Sequence, residues 1–249
     1  MQVSVITATY NRGTTIARAI SSIKSQTYPN IQVVVIDGAS KDNTVPLVSQ
    51  MLENKDILKS EPDKGIYDAL NKGLAVATGE IVAFLHSDDL YFDEKVISKV
   101  VDAFSDDTVD MVYGDVCFFS AGNVMKIKRK YRSYKLSERN LAWGQMPAHP
   151  AIFFRRRVYE KVGYFKTDFK IAADYEFLCR VVQYPELKST YLSATLVRMQ
   201  LGGISTAGFR NTILINKEVF RAIRMNGIYT NIFMILSKYP SKILQFLRT

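Results

Sequence analysis

The chain has 249 residues, 47% hydrophobic and 12% aromatic, which is enough to bury a sizeable core and too apolar for disorder. Its two cysteines, Cys117 and Cys179, have neither CxxC spacing nor histidine-rich neighbours, so neither a disulfide framework nor a zinc site is indicated. The formal charge is +9, but from Gly208 onward seven Lys and Arg face Glu218 alone, so this tail carries +6 and the rest only +3.

The first hundred residues alternate strand and helix patterns. "VSVITAT" is a short β-branched run, as a buried parallel strand should be. "TTIARAISSIKSQTY" puts Ile16, Ala19, Ile20 and Ile23 on one helical face, with Thr14 as N-cap. "IQVVVID" is a second strand, followed by the turn "GASKDNT" and the helix "VPLVSQMLEN". "GIYDALNKGLAVATG" reads as a third helix, "EIVAFLHSDD" as a third strand and "EKVISKVVDAF" as a fourth helix. This repetition predicts an α/β sheet covered on both faces, with ligands gathering at the C-terminal strand ends, where Thr9, Asp37 and Asp88-Asp89 fall.

The second half is more mixed. "DMVYGDVCFF" and "VMKIKRKY" predict a hairpin around "SAGN", "AIFFRR" a strand, "AADYEFLCRVVQY" a helix and "KSTYLSATLVRMQ" a strand. After the loop "LGGIS" the remainder reads as helical, broken near Gly227 and again at Pro240. The expected organisation is one catalytic domain over 1–207 and a basic, amphipathic helical segment over 208–249.

Asp88 and Asp89 sit side by side at the end of an apolar run. Helix capping is one explanation, but Asp93 stands closer to "EKVISKVV". Two surplus adjacent acids are tolerable where a hard divalent cation, Mg²⁺ or Mn²⁺, neutralises them. The first strand-to-helix turn, "TATYNRGTT", is neither GxGxxG nor GxxxxGK[ST]. Thr7, Thr9 and Tyr10 nevertheless offer hydroxyls and a ring for a base and ribose. Asp37 can accept from a base N–H or a ribose hydroxyl, or else simply form a turn with Gly38.

"VSVITATYNR", "VVVIDGASKDNT", "EPDKGIYDALNKGLAVATGE" and "VAFLHSDD", in this order and spacing, resemble the family 2 glycosyltransferases of GT-A fold. "HPAIFFRRRVYEKVGYF" and "IAADYEFLCRV" look like that family's acceptor-side segments, so the resemblance covers about residues 1 to 205. It implies a Rossmann-like, mainly parallel mixed sheet flanked by helices and a C-terminal helical appendage. It also implies a nucleotide-diphosphate sugar donor, by family frequency a UDP-sugar, a divalent metal (Mn²⁺ or Mg²⁺) and an inverting transfer of a hexosyl or N-acetylhexosaminyl group. The acceptor would be a glycan or lipid-linked saccharide in cell-surface polysaccharide synthesis.

By the same resemblance Asp37 meets the base, flanked by Thr7, Thr9 and Tyr10, while Asp63, Lys64, Gly65 and Asn71 line the donor. Asp89 is the metal ligand, Asp88 lies beside it towards the ribose or sugar, and Asp174 of "AADYEF" is the catalytic base. His149 falls where relatives have a histidine near the leaving diphosphate, with a satisfied core histidine as the alternative. One departure is Leu70, which stands where many relatives carry Arg, leaving Lys64 or Lys72 as substitute cations. The rival readings are a non-catalytic nucleotide-sugar or glycan-binding module of the same fold and a nucleotidyltransferase.

"KIKRK" and "RRR" come with no RNA-binding signature, and nucleic acid is not expected as a partner. "MQVSVITATY" lacks the features of a signal peptide, so a cytoplasmic protein is expected. "NGIYTNIFMILSKYPSKILQFLRT" mixes apolar and basic residues in the manner of a segment lying on anionic membrane, which would make the protein peripheral on the inner face of the cell membrane. The alternative is a helix packed on its own catalytic domain.

Overall fold

The computed structural model describes residues 1–202 and 208–237. The N-terminal half is a set of parallel strands with helical crossovers: β1 (Val3–Thr9), α1 (Ile16–Lys24), β2 (Ile31–Asp37), α2 (Thr44–Met51), β3 (Ile57–Ser60), α3 (Ile66–Val76) and β4 (Ile81–Phe84). β5 (Leu90–Tyr91) and α4 (Val96–Ala103) follow. The second half contains β6 (Val109–Ser120), β7 (Asn123–Tyr131), α5 (Glu138–Ala142), β8 (Ile152–Arg155), α6 (Arg156–Val162), α7 (Ala173–Val181), β9 (Lys188–Gln200), α8 (Gly208–Met225) and α9 (Ile232–Leu236).

The nine strands of the described residues form one sheet in the order β3-β2-β1-β4-β8-β6-β9-β5, with β7 paired to β6. β8 runs antiparallel to both β4 and β6, while β9 is parallel to β6. This is the mixed, mostly parallel sheet flanked by helices of the GT-A glycosyltransferases. Alternate residues of each strand feed two cores: Ile6, Val34, Ile36 and Phe84 face the side covered by α3, α7 and α8, and Val5, Val33, Val35 and Ala83 face the side covered by α1, α2 and α4. Burial on both faces explains why these strands read as unbroken apolar runs.

The hairpin falls where the sequence puts it, with Ser120 paired to Asn123. Three differences bear on the site. The third strand of the sequence reading stops at Phe84; the chain then turns through His86, whose carbonyl accepts from the Asp89 N–H at 3.0 Å. Leaving the ladder there frees Asp88 and Asp89 from strand geometry. β3 and α6 were not foreseen, being a four-residue strand and a helix hidden in a basic stretch. Thr14 does not cap α1, whose N-cap is Thr15 with no side-chain cap bond.

The "RRR" stretch is structural. Arg155 donates to the carbonyls of Val109 and Phe104, Arg156 to those of Ala77 and Gly79, and Arg157 to Asp110. Each guanidinium ties off a strand or helix end, the planar multi-donor role for which Arg is suited.

The described part of the C-terminal segment shares the core. Val219, Ala222, Ile223, Ile228 and Ile235 are buried in the same cluster as α3 and α7. The helix break occurs as expected: α8 ends at Met225, and Gly227 takes φ 73°, the left-handed region that favours glycine after a helix. Residues 238–249, with the Pro240 break and half of the basic amphipathic stretch, lie outside the described residues, as do 203–207, which include the last three residues of "LGGIS". No helix among the described residues is long and apolar enough to cross a membrane.

Candidate active site

The loops after β1 and β2 lock each other. The N–H groups of Asn11, Arg12 and Gly13 donate to Ser40 Oγ, Thr44 Oγ1 and Asp42 Oδ2, at 2.7 to 3.0 Å, and Lys41 N–H returns a bond to Asn11 Oδ1 at 2.9 Å. Asn11 and Ala39 sit at φ 50° and 61°, strained positions that this mesh over-determines.

Asp37 is fully buried at the end of β2 and accepts from Ser40 N–H at 2.8 Å, Ser60 Oγ at 2.7 Å and Ser40 Oγ. Here its carboxylate organises the turn. Gly38 follows, and a Cβ there would lie 2.5 Å from Asp63 Oδ2 and 3.4 Å from the Tyr10 ring, so three candidate segments meet at one glycine. Tyr10 is 57% exposed, so its ring is free to stack on a planar ligand. Thr7 and Thr9 are buried on one face of β1, and among the described residues neither hydroxyl has a hydrogen-bond partner. Buried orphan hydroxyls cost about 1–3 kcal/mol each and call for a polar ligand or water.

Other donor-side candidates are placed differently. Gly65 is the N-cap of α3 with φ 119°, beside Asp63, whose Oδ1 accepts the Gly65 N–H at 2.9 Å. Lys64 is exposed next to them. Asn71 bonds both backbone groups of Phe165, at 2.8 and 3.0 Å, and so clamps α3 to the segment before α7. Leu70 is core, and Lys72 is held by Glu61, Asp68 and the Pro62 carbonyl, which leaves Lys64 as the nearby cation without a side-chain tie among the described residues.

Asp93, not Asp88 or Asp89, meets the start of α4, accepting Lys95 N–H at 2.8 Å. The paired acids therefore have no capping duty. Asp89 is 2% exposed and, among the described residues, accepts a hydrogen bond from Gln200 N–H alone, at 3.0 Å, while Arg18 reaches Gln200 Oε1 at 2.9 Å. Burial first, then the Asp88 charge, pushes the Asp89 carboxyl well above the usual carboxylate range. A buried acid beside a second acid, with spare lone pairs, fits a hard cation. Among the described residues no three His, Cys, Asp or Glu converge on a common point, so the two carboxylates would leave the other coordination positions to substrate oxygens and water.

Asp174 lies in the first turn of α7, half-buried. It does not cap that helix, whose N-cap is Ala172. Its Oδ1 accepts Tyr175 N–H at 2.8 Å and lies 3.1 Å from Tyr67 Oη; among the described residues no hydrogen bond reaches Oδ2. Burial raises its pKa against the lowering pull of the Tyr175 N–H, Tyr67 and His86, which makes it a stronger base than an exposed carboxylate. His86 is coupled electrostatically to both Asp88 and Asp174, so the turn after β4 and the start of α7 are neighbours.

His149 is buried, stacked on Phe84 at 5.2 Å between ring centroids and edge-on to Phe165 at 5.8 Å, with His86 6.1 Å away. Burial depresses both imidazoles to about 4, the neighbouring His149 adding to the effect on His86, so both are neutral at physiological pH. Among the described residues His149 Nε2 has no partner. Tyr67 and Glu218 were missed as site residues. Tyr67 stands unremarked within the third helix, and Glu218 reads only as the single acid of a basic tail.

The mixed α/β sheet, with Asp88 and Asp89 in the turn after β4 and Asp174 in the first turn of α7, has the architecture of the GT-A glycosyltransferases. The chain belongs to glycosyl transferase family 2: residues 4–163 match that family. A glycosyltransferase of Mycobacterium tuberculosis, uncharacterized, is 36% identical over 181 residues, 72% of this chain and 68% of its own. A PGL/p-HBAD biosynthesis glycosyltransferase of Mycobacterium bovis is 28% identical over 232 residues, 90% of this chain and 84% of that protein. Among solved structures, S. aureus TarS 1-349 in complex with UDP-GlcNAc aligns with TM-score 0.68 and 21% identity over 90% of this chain and 66% of that one. This chain spans 40% of the longer TarS chain. A mannosyltransferase from Pyrobaculum calidifontis in complex with GDP-Man and Mn²⁺ aligns with TM-score 0.64 and 23% identity, over 88% and 64% of the two chains.

Proposed function

We propose that this chain moves a hexosyl or N-acetylhexosaminyl group from a UDP-sugar to a hydroxyl of a glycan or lipid-linked acceptor, with inversion, in the building of a surface polysaccharide. The observation that carries the reading is Asp174, a carboxylate of raised basicity with Oδ1 held and Oδ2 open, beside the turn that bears Asp88 and Asp89. In this mechanism Oδ2 takes the acceptor proton as the acceptor oxygen attacks the anomeric carbon and the bond to the diphosphate breaks on the opposite face. Asp88 and Asp89 would hold a divalent cation, Mn²⁺ or Mg²⁺, which when bound neutralises the leaving diphosphate. Tyr10 would stack on the base, with Thr7, Thr9, Asp37 and Asp63 around the nucleoside, Lys64 and Gly65 near the diphosphate, and His149 as a neutral donor behind it.

The acceptor side supports a lipid-linked substrate. Phe233 is 81% and Tyr229 70% exposed, and Ile213, Phe220, Met225, Ile232 and Leu236 are also exposed. Exposed Arg210, Lys217 and Arg224 lie on the same segment. Apolar and cationic groups together suit the headgroup region of an anionic bilayer. In this reading 1–207 is the catalytic unit, 208–249 docks it on the inner face of the cell membrane, and the protein acts from the cytoplasm.

The test is a panel of UDP-, GDP- and dTDP-sugars with Mn²⁺, following thermal shift and nucleotide release. A Mn²⁺-dependent shift and slow UDP release with a UDP-sugar are expected. Stabilisation without nucleotide release supports the binding-module alternative instead, and a protein that none of the donors stabilises contradicts the proposal.

A further inference from the structure

The tail's single acid does not sit on its surface. Glu218 of α8 is 7% exposed, and its Oε1 accepts Lys170 N–H at 2.8 Å while Oε2 accepts Ile171 and Ala172 N–H at 2.9 Å each. Three charge-assisted bonds to consecutive amides fix the backbone immediately before α7. Ala172, the N-cap of α7, has no side chain to accept a first-turn amide; Glu218, 46 residues away, instead holds the Ala172 N–H itself and those of the two residues before it.

From the opposite side Tyr67 Oη lies 2.5 Å from the Ile171 carbonyl and 3.1 Å from Asp174 Oδ1. The loop leading to Asp174 is thus gripped by α8 on its N–H groups and by α3 on a carbonyl. Asp174 is two residues beyond the last amide that Glu218 holds. α8 is itself anchored: Arg221 pairs with Asp168 and lies over Phe169, and Asn226 reaches Glu176 of α7 at 3.3 Å.

We propose that Glu218 is a positioning residue for Asp174, and that α8 is therefore part of the acceptor-side machinery. The proposal rests on Asp174 as the base. It requires a carboxylate: a glutamine offers one acceptor oxygen for three N–H groups and turns its own NH₂ towards them. A loop loosened by 1 Å would carry Asp174 Oδ2 off the acceptor hydroxyl, which costs on the order of 10²-fold where geometry is this tight.

The test uses the full chain with Glu218→Gln, Glu218→Asp, Asp174→Asn and the Glu218→Gln/Asp174→Asn double variant. Aspartate-labelled protein is titrated by carboxyl ¹³C NMR, Asp174 being the resonance that Asp174→Asn removes. UDP release from UDP-GlcNAc with Mn²⁺ is followed in parallel. In Glu218→Gln the Asp174 midpoint should fall towards the ordinary carboxylate range as the loop opens to water; Tyr67 and His86, the other groups acting on it, are unchanged. Release should fall on the order of 10²-fold in kcat with donor KM unchanged, and Glu218→Gln should add nothing in the Asp174→Asn background.

Glu218→Asp, one methylene shorter, should read between the two and stands in if Glu218→Gln fails to fold. Asp174 titrating as in the parent protein in either variant overturns the proposal, as does a loss in the double variant equal to the product of the single losses. If the midpoint moves but Asp174→Asn leaves UDP release intact, the base assignment fails and the positioning role stands.

Discussion

On the proposed donor side, the loops after β1 and β2 hold each other through bonds between residues about 30 positions apart, and Asp37, Gly38 and Asp63 meet at neighbouring strand ends. On the proposed acceptor side, Asp174 is held by a tyrosine 107 positions earlier and its loop by a glutamate 46 or more positions later. The first arrangement follows from the sheet. Once β1 and β2 pair in parallel, their C-terminal loops must meet, and short polar side chains lock them. The second has no such guarantee: α3, α7 and α8 must all pack before the carboxylate is in place. Donor binding should therefore survive changes that cripple transfer.

The largest expected effect breaks the donor side. Asp89→Asn should lower Mn²⁺-dependent affinity for UDP by about 100-fold or more, since loss of a direct ligand should exceed the 10–100-fold typical of an outer partner; isothermal titration with and without Mn²⁺ measures it. The same variant should not lose stability without metal. The Asp89 carboxyl is raised in the folded chain, so its contribution is complete below the ordinary carboxylate pKa and is lost as pH rises through the raised value. Metal-free melting temperature near neutral pH should therefore hold or rise in Asp89→Asn, and a fall would point to a structural carboxylate.

A smaller effect sharpens the acceptor side. Phe233→Asp removes the most exposed large apolar side chain of the described segment and should weaken sedimentation with anionic liposomes by about 1–2 kcal/mol, roughly 10-fold, without changing UDP affinity. Unchanged sedimentation would remove the membrane reading.

The same contrast explains what was legible in the sequence. β-branched runs and helical spacing marked out most of the parallel strands and their helices, and Asp37, Asp88 and Asp89 fell at strand ends by that pattern alone, whereas Asp63 was visible only through the family resemblance. Asp93 at the start of α4 freed the acid pair from capping, as its spacing suggested. Asn71 is different: its motif position is the one read from the sequence, but its amide is taken by Phe165, a contact no local pattern encodes. Asp174 was visible through "AADYEF", whereas Glu218 and Tyr67 were not, because nothing near them in sequence records which distant amide or carbonyl they will meet. Arg155, Arg156 and Arg157 make the same point, reading as a basic patch yet each closing a backbone end.

The most direct measurement of the central claim compares Asp174→Asn with the parent protein, recording UDP affinity with Mn²⁺ and the rate of UDP release from a UDP-sugar. With Asp174 as base, affinity should be unchanged and the rate should fall by about 10²-fold or more, because an amide cannot accept the proton. Near-parental release from a folded variant, or a loss of affinity equal to the loss of rate, would contradict a site divided into a donor half and a base-bearing half.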